Sequence, residues 1–205
     1  MKAAALLLSA VAAYLLAGIN PAIILSRAIY HTDIREKGSG NAGFTNFKRV
    51  YGGKYAYLVF ALDILKGAVI SVGAGLLFLY LWSSWQLGVA YAGVFAVLGH
   101  SFPVYYGFKG GKGFLVCFTS LWFLDWRAGL TAFILLCLLL FTARYMSLAS
   151  MTALLGGLVC LFLCGASGAV CMLSALSVLL VIARHHSNID RLLHGQESRF
   201  SFSNR

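Results

Sequence analysis

Apolar stretches of bilayer length dominate this sequence and leave few folds open to it. They run over residues 3–29, 56–81, 86–105, 113–124, 128–143, 148–165 and 168–184. A helix needs about 20 predominantly apolar residues to cross a hydrocarbon core, where every backbone N–H and C=O must be paired within the span. The stretches therefore predict an all-α, polytopic transmembrane helical bundle of about seven spans, forming a single integral membrane domain over residues 1–205. The fourth stretch is too short to cross as a straight helix. It is either a half-span or fuses with the fifth into one crossing. Asp125-Trp126-Arg127 and Gly165-Ala166-Ser167-Gly168 read as polar turns. Lys2 before an apolar run imitates a signal peptide, but the run is too long and has no clear cleavage site, so it reads as the first membrane helix.

Charge follows the same partition. Only 11% of residues are charged, too few to cover a soluble domain of this length. A formal net charge of +10 would suggest nucleic acid in a soluble protein, but these charges sit in loops between apolar stretches. They fit membrane loops that meet anionic lipids or anionic substrates, with no nucleic-acid partner. With seven crossings, thirteen of the sixteen basic residues share one side: Arg27, Arg35, Lys37, Lys48, Arg49, Lys54, Lys109, Lys112, Arg144, Arg184, Arg191, Arg199 and Arg205. The other side keeps Lys2 and Arg127, and Lys66 lies within a span. This bias predicts an outside N-terminus and a cytoplasmic C-terminus. All five histidines then fall on the cytoplasmic side or at its edge. The five cysteines lie inside apolar stretches and read as small core residues. No metal site, cofactor or obligate protein partner is evident.

Four polar clusters carry chemistry. The first is Gly38-Ser-Gly-Asn-Ala-Gly-Phe-Thr-Asn-Phe-Lys-Arg49. Closely spaced glycines let successive backbone N–H groups converge on an anion. Ser39, Asn41, Thr45 and Asn46 add neutral polar groups, and Arg49 adds a fork that matches phosphate oxygens. By itself this cluster would read as an ordinary Gly-rich turn. The second, Gly107-Phe-Lys-Gly-Gly-Lys-Gly113, opens a helix and carries Lys109 and Lys112. Gly-rich backbone at a helix N-terminus suits phosphate. The spacing is not that of a Walker A loop. A lipid-anchoring basic loop is the simpler alternative, but four glycines in seven residues are a poor anchor. In the third, Arg144-Tyr-Met-Ser-Leu-Ala-Ser150, Ser147 and Ser150 share one helix face. The alternative is a helix cap with a small-residue packing face. The fourth, Arg184–Glu197, places His185 and Asn188 three apart. His185 and Asp190 also fit His-x-x-x-x-Asp, a spacing of another acyltransferase class, with no partner motif. Asp63 and Lys66 lie three apart within the second span, where a mutual ion pair turned into the bundle is the economical reading.

Taken together, the clusters resemble the bacterial acyl-phosphate:glycerol-3-phosphate acyltransferases (PlsY), small polytopic membrane enzymes. The matching segments are Asp33-Ile-Arg, Gly38–Arg49, Leu62-Asp-Ile-Leu-Lys-Gly67, Gly99-His-Ser-Phe-Pro-Val, Phe108–Gly113, Tyr145–Ser150, Arg184-His and Asn188–Gly195 with Glu197. They span nearly the whole chain in order. Departures are Phe44 in Gly43-Phe-Thr-Asn46, Phe114-Leu-Val116 after Gly-Lys-Gly, and Gly18-Ile-Asn-Pro21.

The resemblance implies acyl transfer from acyl phosphate to the 1-hydroxyl of glycerol 3-phosphate. The products would be lysophosphatidic acid and phosphate, the first step of phospholipid synthesis, made at the cytoplasmic face of a bacterial inner membrane. It implies catalytic roles for Ser39, Arg49, Lys112, His185 and Asn188. Substrate binding would fall to Gly40, Asn41, Gly43, Thr45, Asn46, Lys109, Gly110, Gly111, Gly113, Ser147 and Ser150, with Glu197 structural. The alternative classes are a membrane carrier of a phosphorylated small molecule and a non-catalytic lipid-binding scaffold. A carrier should also place polar groups near the midplane, whereas these gather at one interface.

Overall fold

The computed structural model describes residues 2–202. Arg205, counted above with the basic residues of one side, lies outside them. Ten α-helices and no strand are present among the described residues. They are α1 (Lys2–Gly18), α2 (Pro21–Tyr30), α3 (Phe44–Tyr51), α4 (Gly53–Trp82), α5 (Trp85–Ser101), α6 (Phe114–Leu124), α7 (Trp126–Thr142), α8 (Met146–Leu163), α9 (Gly168–Arg184) and α10 (His186–Leu193). Every apolar stretch has a helical counterpart; the short polar helices are α3, between the first two stretches, and α10, after the last.

The first stretch is broken rather than continuous. Pro21 has no backbone N–H to continue the ladder, so the helix stops at Gly18 and restarts. Asn20 makes the restart: its side chain accepts from Ile23 N at 3.1 Å and donates to Ala42 O at 3.1 Å. Such a cap contributes about 1 kcal/mol. The break frees Ile19 O, to which Lys66 Nζ donates at 2.9 Å.

The α6–α7 junction decides the fate of the short fourth stretch. With 11 residues, α6 is only about 16 Å long, against a hydrocarbon core of about 30 Å. Asp125 is extended and caps α7 by accepting from Arg127 N at 2.8 Å. α7 then folds back on α6, so closely that a Cβ on Gly129 would strike Trp122. The two helices are antiparallel arms and do not fuse into one crossing.

At the centre lies α5, against which α1, α4, α6 and α9 all pack. Its small residues permit this. A Cβ on Gly88 would collide with Ala74 O, and one on Gly99 with Tyr14 O. Close backbone approach drives association where the surroundings are as apolar as the helices. Leu7, Leu76, Phe141, Phe162 and Leu179 remain exposed around the outside. Four segments are long and apolar enough to cross a membrane: Lys2–Tyr30, Gly53–Trp82, Trp85–Tyr106 and Met146–Leu163. α9 is a further apolar helix, and the chain bends by 59° where it passes into the polar α10.

The two ends of the bundle differ in chemistry. At one, Trp85 Nε1 and Gln86 Nε2 donate to Phe123 O and Leu124 O, tying α5 to α6. At the other, the long loops interlock. Arg35 Nη1 donates to Tyr106 O at 2.8 Å, and Phe200 N donates to Arg144 O at 2.6 Å. That second end holds all four polar clusters.

Candidate active site

A cavity of about 490 Å³ opens at the loop-rich end. The starts of three helices line it: Gly43–Asn46 of α3, Gly113–Leu115 of α6, and Met146–Ser147 of α8. None of these helices has a side-chain cap. By contrast α2, α5, α7 and α9 are capped by Asn20, Ser84, Asp125 and Ser167. Uncapped first turns leave backbone N–H groups and the positive end of the helix dipole facing the cavity. Arg49, Lys48 and Lys112 line the same space.

The first loop is held from behind. Asp33 accepts from Arg35 and Arg27 side chains, at 2.7 and 2.8 Å. The hydrogen bonds from Arg35, aided by Arg27, outweigh burial and hold the Asp33 carboxyl well below the usual carboxylate range. Gly38 takes φ 58°, and a side chain there would also strike the Asn46 amide. Asn46 works as a staple: Oδ1 accepts from Ser39 N at 2.9 Å, and Nδ2 donates to Lys37 O at 3.0 Å. Ser39 and Thr45 line the cavity, and their hydroxyls have no protein partner among the described residues. Arg49 Nη2 donates to Ser198 Oγ at 3.1 Å.

The second loop corrects an expectation. Gly110 N and Gly111 N donate to Ser101 O and His100 O, each at 3.1 Å. Gly40 N and Gly43 N likewise donate to Lys37 O and Asn41 O. These four amides are committed to shaping the loops and are not free for a ligand. Gly40, Lys109, Gly110 and Gly111 do not line the cavity, although Gly43 does. The double glycine serves packing instead. A Cβ on Gly110 would hit His100 O, and one on Gly111 would hit the His100 ring and Ala42 O. Gly113, at φ 83°, lines the cavity.

The remaining clusters meet through Glu197. Its Oε1 accepts from Ser147 Oγ and Asn188 Nδ2, both at 2.6 Å, and its Oε2 from Arg191 Nε at 2.7 Å. Asn188 Oδ1 accepts in turn from Lys112 Nζ. Ser147 and Asn188 are thus tied by Glu197, while the Ser150 hydroxyl donates to Met146 O at 2.7 Å. Burial pushes the Glu197 carboxyl up, but the bonds from Ser147, Asn188 and Arg191 prevail and hold it below its ordinary value. Asp190 is exposed and lies 3.4 Å from His194, so it forms no dyad with His185.

His185 ends α9 at the cavity wall, where α10 bends away. Its Nδ1 lies 2.8 Å from Val181 O. A carbonyl only accepts, so Nδ1 carries the proton and Nε2 keeps its lone pair. Burial, reinforced by the Lys112 charge, pushes the ring down to about 4, which keeps it neutral at physiological pH.

Lys112 supplies a pH signature. Burial pushes its ammonium down to about 8, with Glu197 opposing and Arg191 and Arg49 adding to the fall. The protonated form attracts phosphate. For the free protein, kcat/KM for a phosphate-bearing substrate is therefore expected to fall as pH rises through about 8. Bound phosphate favours the ammonium, so kcat should persist to higher pH. A flat kcat/KM between about pH 7 and 10 would contradict this role.

Several lining residues had only a faint signal in the sequence. Lys48 and His100 lie within recognised segments but had no assigned role. Ser198–Ser201 line the cavity as a strap: Lys48 Nζ donates to Ser201 O at 3.1 Å, and Phe202 stacks on Phe141. Nothing in a short polar tail announces such a wall. The departures Phe44 and Phe114 also line the cavity, so they set its shape.

Comparison with known proteins agrees with this arrangement. The sequence model of the glycerol-3-phosphate acyltransferase family matches residues 7–195. A glycerol-3-phosphate acyltransferase of Aquifex aeolicus is 38% identical over 188 residues, covering 92% of this chain and 95% of that protein. One from Syntrophotalea carbinolica is 39% identical over 190 residues, covering 92% and 94%. The crystal structure of PlsY, an integral membrane glycerol 3-phosphate acyltransferase, in its glycerol 3-phosphate form superposes with a TM-score of 0.87 at 35% identity, covering 96% of each chain. Its lysophosphatidic acid form gives 0.82, covering 96% of this chain and 95% of that one. With the family model spanning most of its length and relatives matched nearly end to end, this chain belongs to the glycerol-3-phosphate acyltransferase family.

Proposed function

We propose that the chain transfers an acyl group from acyl phosphate to the 1-hydroxyl of glycerol 3-phosphate, releasing lysophosphatidic acid and phosphate. The observation that carries this reading is the convergence of three uncapped helix starts with Arg49 and Lys112 on one cavity. Two phosphate-bearing substrates need such a concentration of donors and positive charge. The cavity continues into an apolar wall of Phe60, Phe114, Phe133, Leu136 and Leu140, suited to the acyl chain.

In this reading Arg49 and Lys112 hold the two phosphates, aided by Ser39, Thr45 and the N–H groups at the helix starts. His185 Nε2 accepts a hydrogen bond from the attacking hydroxyl and orients it. The hydroxyl oxygen bonds to the acyl carbon, and the acyl C–O bond to phosphate breaks. The proton passes to the departing phosphate, a good leaving group whose second pKa is about 6, and no covalent enzyme intermediate is needed. Ser147, Asn188 and Glu197 position Lys112. The polar groups gather at one end of the bundle, which favours an enzyme over a carrier.

The test is purified protein with glycerol 3-phosphate and, in turn, acyl phosphate, acyl-CoA and acyl carrier protein of matched chain length. Lysophosphatidic acid and phosphate are expected from acyl phosphate only, each requiring both substrates. A thioester lacks the phosphate that anchors the donor. Efficient product from acyl-CoA with none from acyl phosphate would overturn the donor assignment, and uptake into sealed vesicles without chemistry would favour the carrier.

The site belongs, in the same proposal, at the cytoplasmic face of the bacterial inner membrane, with seven crossings and the N-terminus outside. The support is the basic bias of the loop-rich end. An engineered cysteine at Phe202 should be shielded from membrane-impermeant thiol reagent in intact cells and labelled once they are opened. Labelling in intact cells would reverse the orientation.

A further inference from the structure

The bundle holds a second histidine whose state is fixed by its neighbours. His100, at the end of α5, is 4% exposed and lines the cavity. Its Nδ1 lies 3.0 Å from Lys66 Nζ. The same ammonium lies 2.8 Å from Asp63 Oδ1 and donates to Ile19 O at 2.9 Å. An ammonium has three donors and no acceptor, so it can only donate to the imidazole nitrogen. The carbonyl is available only because Asn20 and Pro21 break the first helix. His100 Nδ1 must therefore accept, and the ring proton sits on Nε2. No protein group takes that proton among the described residues. Nε2 lies close to Gly111, where a Cβ would strike it, and both His100 and Lys112 line the cavity. Ala42 O, also beside Gly111, already accepts from Asn20. His185 has the opposite arrangement, with its proton on Nδ1 and a lone pair on Nε2.

We propose that His100 is a further catalytic residue of the acyl transfer: its Nε2–H donates to the carbonyl oxygen of the bound acyl donor as negative charge develops there. Asp63 and Lys66 are positioning residues that hold the ring in this tautomer. The inference rests on the acyl-transfer reading above. A neutral donor suits this oxygen. Arg49, Lys112 and the helix starts already meet the phosphates, whereas the carbonyl oxygen is uncharged until the tetrahedral intermediate forms. A donor fixed in place beforehand needs no reorganisation at that moment. The two histidines then divide the work, one orienting the nucleophile and the other polarising the electrophile.

The discriminating variant is His100→Asn. Its Oδ1 replaces Nδ1 as acceptor for Lys66, but nothing occupies the Nε2 position. In protein that melts as wild type, kcat is expected to fall on the order of 10²-fold, with KM for both substrates within about twofold, because the contact strengthens only in the transition state. His100→Gln returns an amide N–H near the Nε2 position and should recover at least about tenfold of that loss. NMR of nitrogen-labelled histidine, with His100 assigned by its loss in the variant, should show Nε2 protonated and Nδ1 bare. Lys66→Met should move the proton to Nδ1, facing Asp63 Oδ1 at 3.7 Å, and lower kcat with it. That variant decides the matter if the asparagine protein does not fold. A kcat for His100→Asn within about threefold of wild type would overturn the proposal, given that one lost donor costs far more. So would a raised KM for acyl phosphate at unchanged kcat, or a wild-type ring protonated on Nδ1. If wild-type protein makes no product from acyl phosphate, the acyl-transfer reading itself fails, while the tautomer measurement stands independently.

Discussion

Lys112→Met is expected to lower kcat/KM by about ten- to a hundredfold in folded protein, and Arg49→Met by a similar factor. Each substitution removes a charge-assisted contact to phosphate, worth about 1.5–3 kcal/mol, or tenfold per 1.4 kcal/mol. Lys112 has a further consequence, because its ammonium, half-buried at the cavity wall, donates to Asn188 Oδ1. Methionine matches its length but leaves that acceptor unpaired. Arg49→Lys keeps the charge yet loses the planar fork, so it should recover only part of the activity. Steady-state kinetics with glycerol 3-phosphate and acyl phosphate varied separately would show which phosphate each residue serves. Near-normal kinetics in both methionine variants would remove the two-phosphate arrangement.

Glu197→Ala should be the most damaging change away from the substrates. One carboxylate holds Ser147, Asn188 and Arg191. Its removal leaves three donors without their acceptor, two of them buried residues. Hydrogen bonds to a charged group contribute about 1.5–3 kcal/mol, which corresponds to a fall in melting midpoint on the order of 5 °C. Activity should fall at least tenfold as Asn188 and then Lys112 lose their positions. Glu197→Gln retains one acceptor oxygen and should recover part of the stability. The sign with pH follows from the lowered carboxyl. The contribution is complete at neutral pH and is lost as pH falls through the folded-state value. A thermal scan in detergent reads the first effect and an acid series the second. Unchanged midpoints in Glu197→Ala would mean that the strap does not brace the site.

Much of the architecture was legible because bilayer solvation writes itself into composition. A span must be apolar over its length and must pair its own backbone, so each stretch from 56–81 to 168–184 shows in the order of residues alone. The clustering of basic and polar residues in alternate loops showed in the same way. Elsewhere the sequence-based reading stopped at a specific physical limit. Residues 3–29 look continuous by hydropathy, yet Pro21 and Asn20 break them, and Lys66 uses the freed carbonyl. Gly110 and Gly111 suggested a phosphate-binding backbone, but their amides pair with the end of α5. Glycine spacing is the same whether backbone must approach a ligand or another segment of chain.

By itself, the sequence determined the helical class and where its basic and polar residues concentrate, with Arg49, Lys112, His185 and the Gly-rich loops among them. Those properties depend on residue type and local order. Only the tertiary structure decided which groups remain available to a ligand. It left the starts of α3, α6 and α8 uncapped toward one cavity, while committing Asn46, Ser147 and the Gly110–Gly111 amides to the scaffold. It also set Nδ1 of His100 against an ammonium and Nδ1 of His185 against a carbonyl, partners that call for opposite tautomers. A side chain's donor or acceptor role is set by what lies across from it, and partners distant in sequence are chosen only when the chain folds.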